Sequence, residues 1–386
     1  LHEIANMGLS YEFPVTPHMD GPNMHSNAVA HIVTVSDSQK IIVRKPIVDT
    51  ITLTCSGKAA LQLIANSSND KWDAVGFKYW DGFYKRVIEE IKAPDQVYIQ
   101  DANDWIPKYK TNAVLILPTS GAKIKLSTQS TGKNSALRLE FSPSKFDEKA
   151  YNEFCDLWDQ IDLGNISLPA MLHDAKVTRL DVAVDVLGIE PKDIFVHREG
   201  VWKIWWVSAS KSGIEAAQYY IANNAKQGAQ LNPKKRANFI VYDKLKEQLA
   251  NGVKPKFGKQ LHSRLEWSTR KNSAFTNLLE MKCPFEGWEA RRLLIDKPPV
   301  KEEWMWKVIF DSVRFRGWKE TIQLLPNDVI DDGAGDQREK FFPNDLVSEE
   351  LLWKHWGEGV KACHLSEFIK FSAMSPQDNM HFHGAF

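Results

Sequence analysis

Val177–Val186 reads VTRLDVAVDV, an apolar, β-branched run that suits a buried strand except that it carries two carboxylates, Asp181 and Asp185. Charged side chains are rarely buried without a partner, so acids on such a strand call for a metal ion, a basic partner or a reacting group nearby. The plainer alternative is an edge strand whose acids pair with neighbours such as Arg179. Further along, Ala237–Gln248 (ANFIVYDKLKEQ) and Leu261–Ser268 (LHSRLEWS) place Tyr242 and Glu266 in similar β-rich, apolar settings.

Three strand-like segments that each carry one polar group among apolar neighbours can meet on one sheet face and build an oxygen-rich site from Asp181, Tyr242 and Glu266. Hard cations such as Mg²⁺ and Mn²⁺ prefer such ligands and keep positions open for water or phosphate. A site of this kind suits phosphoryl transfer, where a metal polarises a phosphodiester oxygen and stabilises the charge that builds up on it.

The ordered set TRLDVAVDV, IVYDK and RLEW, with Asp181 and Glu266 85 positions apart, resembles the replication initiators of rolling-circle plasmids of the staphylococcal type. LRLEFSPSKF at Leu137–Phe146 is similar to the filamentous-phage branch, and the likeness runs from about Asp49 to Trp288. The resemblance implies a Mg²⁺ or Mn²⁺ site at Asp181, Glu266 and Tyr242, with Asp185 in support. It also implies Arg179, Arg264 or Lys244 as phosphate clamps.

Members of that family carry a nucleophilic tyrosine after the glutamate strand, following a lysine. Here all nine tyrosines lie at or before Tyr242. The nearest match to the expected context is Arg338-Glu339-Lys340-Phe341-Phe342, which puts Phe341 where the hydroxyl belongs. A phenyl ring cannot attack phosphorus. Three readings stay open: a copy blocked for nicking by Phe341, a nucleophile elsewhere (Tyr219, Tyr220 or Tyr151), or a relative that only binds.

The chain's 386 residues suffice for two or three domains, and 43% hydrophobic with 25% charged content is ordinary for a globular protein. No run of 18 apolar residues and no secretory signal stands out, so a cytoplasmic protein without a membrane partner is expected. Cys55, Cys155, Cys283 and Cys363 form no C-x-x-C pair and read as buried thiols. A formal net charge of +0 argues against general nucleic-acid affinity. Between Lys234 and Lys271, however, eleven bases face three acids, and Lys234, Lys235, Arg236, Lys254, Lys256 and Lys259 form a basic stripe fit for a DNA backbone. The alternative for Lys254–Lys259 is a solvated lysine-rich face.

An internal echo organises the chain. LRLEFS at 137–142 resembles SRLEWS at 263–268, with Glu140 and Glu266 126 positions apart and Asp49 and Asp181 132 apart. The expected fold is α+β: an N-terminal segment 1–44, two sheet-containing halves at 45–150 and 170–285 related by a pseudo-two-fold, and a mainly helical region 286–386 with a mobile loop at 326–350. The first half is expected to be degenerate, with nothing matching Tyr-Asp-Lys. Strands are expected near 49–55, 112–117, 122–128, 136–141, 177–186, 202–207, 237–242 and 261–268. Helices fit 76–92, 147–160, 213–224, 243–250, 272–280, 302–324, 348–356 and 365–372.

Two further features carry weaker signals. His381-Phe382-His383 has the pattern of a histidine ligand pair but stands at the chain's end with no strand around it. Trp202, Trp205 and Trp206 suit either base stacking or packing. The chain shows no P-loop, so by resemblance it would bind a double-stranded origin, expose a single-stranded nick site and recruit a host helicase; a homodimer is compatible with that role. The rival expectations are a non-catalytic origin-binding regulator and a metal-dependent hydrolytic nuclease.

Overall fold

The computed structural model describes residues 29–35, 40–68, 72–86, 97–99, 109–130, 136–162, 166–198, 201–207, 217–222, 239–270, 273–281, 288–292, short pieces between 304 and 324, and most of 346–376. Two short strands, β1 (Val29–Thr34) and β2 (Lys40–Arg44), form a hairpin ahead of β3 (Ile47–Cys55). Helices α1 (Lys58–Ser68) and α2 (Trp72–Lys85) follow, then β4 (Val97–Ile99), β5 (Tyr109–Ile116), β6 (Lys123–Ser130) and β7 (Leu137–Phe141). Helices α3 (Glu148–Asp162) and α4 (Leu168–Met171) lead into β8 (Lys176–Leu187), β9 (Ile194–Arg198), β10 (Val201–Val207), β11 (Ala217–Ala222) and β12 (Phe239–Asp243). Next come α5 (Lys244–Ala250), β13 (His262–Thr269), β14 (Ser273–Ala274) and β15 (Trp288–Arg292), and the described C-terminal helices are α6 (Trp356–Ala362) and α7 (Leu365–Ala373).

The main sheet is antiparallel and runs β10-β11-β12-β13-β8-β3-β7-β6-β5-β4. Read outward from its centre, β3-β7-β6-β5-β4 and β8-β13-β12-β11-β10 are the same arrangement twice, so the fold is α+β with two related halves. In the first half Glu140 pairs with Thr52 and Arg138 with Thr54; in the second Glu266 pairs with Ala183 and Arg264 with Asp185. Thr52 to Ala183 and Thr54 to Asp185 are both steps of 131. The same step takes Thr50 to Asp181, and those two residues pair with each other. The pseudo-two-fold therefore passes between Thr50 and Asp181.

This register corrects one expectation and agrees with another. The mate of Asp181 is Thr50 and not Asp49, because Asp49 is the extra residue of a β-bulge between Val48 and Thr50. The expected lack of a Tyr-Asp-Lys match holds: where Tyr242 pairs with Arg264, the first half has Ser127 paired with Arg138. The segment around 213–224, expected to be helical, contains β11 instead. Its Gln218, Tyr219 and Tyr220 pair with β12 on one side and β10 on the other, and aromatic and β-branched residues gain more from that ladder than from a helix. Helix α1 and the β1–β2 hairpin were not anticipated; the hairpin joins the sheet where Ile42 and Val43 pair with Leu187 and Val186.

Period-two alternation gives the sheet two unlike faces. Leu180, Val182, Val184, Leu139, Leu53 and Leu265 belong to the buried core, where helix α3 contributes Tyr151, Phe154 and Trp158. Burial of each such side chain contributes about 1.5–3 kcal/mol, which is why the alternation decides the register. The C-terminal helices complete this layer: Phe368 on α7 lies 5.3 Å from the Tyr151 ring and 6.0 Å from Phe275. The residues between these core positions form the other face, which is polar.

Candidate functional site

β8 is the inner strand of the second half, flanked by β3 and β13, so Asp181 and Asp185 do not stand on an edge. They are two residues apart from Ala183 on either side and share the polar face with Arg264 and Glu266 of β13 and Tyr242 of β12. The three residues picked out by the ordered motif thus meet on adjacent strands. Tyr242 donates its hydroxyl to Glu266 Oε2 at 3.2 Å. Asp181 is 1% exposed and is held by Arg179 through Nη2–Oδ2 at 2.5 Å and Nε–Oδ1 at 3.1 Å. The pairing with Arg179 expected for an edge strand is present, but on a central one.

Arg264 and Asp185 occupy different roles from those the resemblance implies. Arg264 donates Nε to Asp185 Oδ1 at 2.7 Å, Nη2 to Asp185 Oδ2 at 2.9 Å, and Nη1 to Asp49 Oδ1 at 2.8 Å. A buried guanidinium with its arms on two carboxylates is a structural ion pair and not an open phosphate clamp. Asp185 also has His262 beside it, with Nε2 3.0 Å from Oδ1. Burial works against the Asp185 anion, yet Arg264 and His262 hold it far below the usual carboxylate range. Its oxygens are committed to Arg264 rather than offered in support of a metal.

Glu266 has the opposite balance. Burial, then repulsion from Asp49 and Asp181, pushes its carboxyl up to about 7, with Arg264 and the Tyr242 hydroxyl acting against the shift. Asp181 is also raised, by burial first and by Asp49, against the pull of Arg179 and Ser268. Asp49, which the motif did not single out, therefore belongs to this acid group; only its bulge brings it there. Burial also drives the Tyr242 hydroxyl well above its ordinary range, so it acts here as a neutral donor.

Asp49, Asp181 and Glu266 offer hard oxygens of the kind that Mg²⁺ or Mn²⁺ prefer, but Arg264 holds Asp49 and Arg179 holds Asp181. In their present placing, among the described residues, no group of three or more His, Cys, Asp or Glu side chains is set to hold a metal ion. Arg179 accounts for part of this, since it occupies both oxygens of Asp181.

The remaining candidates are distributed around this centre. Lys244 lies with Nζ 5.7 Å from the Tyr242 ring centroid and 2.7 Å from Glu247 Oε2. Lys254, Lys256 and Lys259 lie exposed in the turns after α5, where Lys256 Nζ sits 5.6 Å from the Phe257 ring. Tyr151 is fully buried between Phe146 and Phe368, which removes it as an alternative nucleophile. Cys55, Cys155 and Cys363 are free, buried thiols. Phe341, Phe342, Lys234, Lys235, Arg236, Cys283, the 326–345 stretch and His381-Phe382-His383 lie outside the described residues, as do the side chains of Tyr219, Tyr220, Trp202, Trp205 and Trp206.

In the first half the face continues with different chemistry. Glu140, the mate of Glu266, accepts from Arg138 Nη2 at 2.5 Å and from Thr52 Oγ1 at 3.3 Å, and Lys125 Nζ lies 3.3 Å away. Its carboxyl is held below the usual range by Arg138 and Lys125, against burial, which is the largest influence. One half presents repelling acids, the other a neutralised one. No protein-family model matches the chain, and no curated protein matches it. Among the described residues, no helix is long and apolar enough to cross a membrane.

Proposed function

We propose that the chain is a replication initiator of the rolling-circle class, acting on one strand of an origin, with Phe341 at the position of its nucleophile. The observation that carries this reading is the convergence of Asp181, Tyr242 and Glu266 on neighbouring strands of one polar face, in the order and spacing of the family's motifs. A bound Mg²⁺ or Mn²⁺ would be held by Asp181 and Glu266, with Asp49 beside them, and would polarise the scissile phosphate. Glu266, at about 7, has the affinity for a proton that acid–base work near neutral pH requires, and Tyr242 fixes its orientation. Among the described residues, Arg179 is a partly exposed guanidinium in contact with Asp181 and is suited to a phosphate oxygen.

In the intact reaction a tyrosine oxygen attacks the phosphorus, the bond to the 3' oxygen breaks, and the products are a 5'-phosphotyrosyl link and a free 3'-hydroxyl. The ester energy is kept in the link, so rejoining needs no nucleotide. The partners of this reading are origin DNA, a host helicase and a second copy of the chain, in the cytoplasm. A second reading, a regulator that binds an origin without cutting it, is favoured by the grip of Arg179 on Asp181 and by the absence of a tyrosine after Glu266.

Covalent trapping on single-stranded DNA from the replicon's own origin, with Mn²⁺, separates the readings. The chain as it stands should bind and form no adduct, and Phe341→Tyr should leave protein on the 5' end. Phe342→Tyr should give little, since the expected position directly follows Lys340. Binding without an adduct from either variant would establish the regulator, and cleavage without an adduct a hydrolytic nuclease that activates water.

A further inference from the structure

The Asp181 carboxylate is buried, and Arg179 engages both of its oxygens. Its side chain is 1% exposed while that of Arg179, which grips it by two nitrogens, is 40% exposed. The guanidinium engages both Asp181 oxygens, so a cation arriving on them must displace it. Arg179 also has a second acid in range. Thr52 of β3 pairs with Arg179 on one side and with Glu140 on the other, so the two charged residues flank a single strand. Neighbouring strands lie about 4.8 Å apart, which separates their backbones by about 9.6 Å, a gap that an arginine and a glutamate side chain can close together. Glu140 already favours the Arg179 cation, in addition to Asp181.

We propose that Arg179 is a built-in competitor for the metal: a divalent cation and the guanidinium take turns on Asp181, and Glu140 of the first half receives the arginine when the cation is bound. This rests on the metal reading given above. The exchange leaves Asp181 with a counter-charge throughout, two units from the cation in place of one from the guanidinium. It also gives the first half a task, although its own glutamate is neutralised by Arg138 and Lys125.

The test is titration of the full chain with Mn²⁺ alone, followed by the paramagnetic resonance signal of the free aquo ion. Removing a half-exposed ion-pair partner should strengthen binding, so Arg179→Ala is expected to hold Mn²⁺ about five- to tenfold more tightly than the unaltered chain. Glu140→Gln takes away the alternative acid and is expected to weaken Mn²⁺ binding by about two- to threefold. Arg179→Gln, nearer in size, replaces the alanine variant if that one fails to fold. Equal or weaker binding by the arginine variants, with Asp181→Asn still abolishing it, would overturn the competition and leave the metal site standing. Tighter binding by Arg179→Ala with no effect of Glu140→Gln would overturn the part given to Glu140. If neither the unaltered chain nor Arg179→Ala binds Mn²⁺ while both are folded by circular dichroism, the metal reading itself fails.

Discussion

Arg264 grips both oxygens of Asp185, with Nε 2.7 Å from Oδ1 and Nη2 2.9 Å from Oδ2, and both residues are at least nine-tenths buried. Two charges this deep are tolerated because each satisfies the other, and the pair ties β13 to β8 directly beside the acid group. The strand pairing and the ion pair coincide, since Arg264 and Asp185 are also register partners.

Breaking that pair by removing one side should be costly. Asp185→Ala leaves Arg264 with only Asp49, and loss of about 3–5 kcal/mol of stability is expected, as for other uncompensated buried charges. Chemical denaturation measures it. A loss below about 1 kcal/mol would mean that the pair is solvated and that Asp185 is available for another role.

The Glu266 carboxyl makes stability depend on pH in a definite direction. Its folded value of about 7 exceeds the ordinary 4.5, so the folded chain holds this proton more firmly than the unfolded one. That contribution is fully present below about pH 4.5 and is lost as pH rises through about 7. Glu266→Gln should therefore flatten the profile between pH 5 and 8, by up to about 2 kcal/mol after allowance for partial exposure, in buffers containing a chelator. Parallel profiles for the two proteins would contradict it.

Lys234, Lys235 and Arg236 are expected to contact a DNA backbone. Removing all three should weaken binding to unrelated sequences alike and lower the slope of log affinity against log salt by up to about 3. An unchanged slope would mark them as a solvated face.

The C-terminal helices should be intolerant of a side chain at Gly359 on α6. A Cβ there would lie 1.9 Å from the backbone oxygen of Pro46, between β2 and β3. Because that neighbour is backbone, Gly359→Ala is expected to cost about 1–3 kcal/mol by overpacking, whereas Gly357→Ala, with open space around it, should be near neutral. Similar midpoints for the two variants in a denaturant titration would show that α6 does not sit against this corner.

The sequence alone determined most of the sheet. The runs that became β3, β5, β6, β7, β8, β12 and β13 carry the β-branched and alternating content that a pleated, half-buried strand requires, and the echo of LRLEFS in SRLEWS announced the repeat before any pairing was known. Asp181, Tyr242 and Glu266 stood out because each is polar in an apolar run, and that contrast is local. Where local content was ambiguous the sequence misled: the residues of β11 fit a helix until β10 and β12 are present to take their hydrogen bonds. The division of labour among the charges was decided only by the tertiary structure. Nothing in the order of residues distinguishes Asp181 from Asp185, two members of one strand. Asp185 is register partner to the buried Arg264 and is held far below the usual carboxylate range, while Asp181 lies at the pseudo-two-fold near Asp49 and Glu266, paired with the more exposed Arg179, and is raised. Electrostatic character depends on distances between strands far apart in sequence, and a one-residue bulge at Asp49 was enough to add a carboxylate to the group.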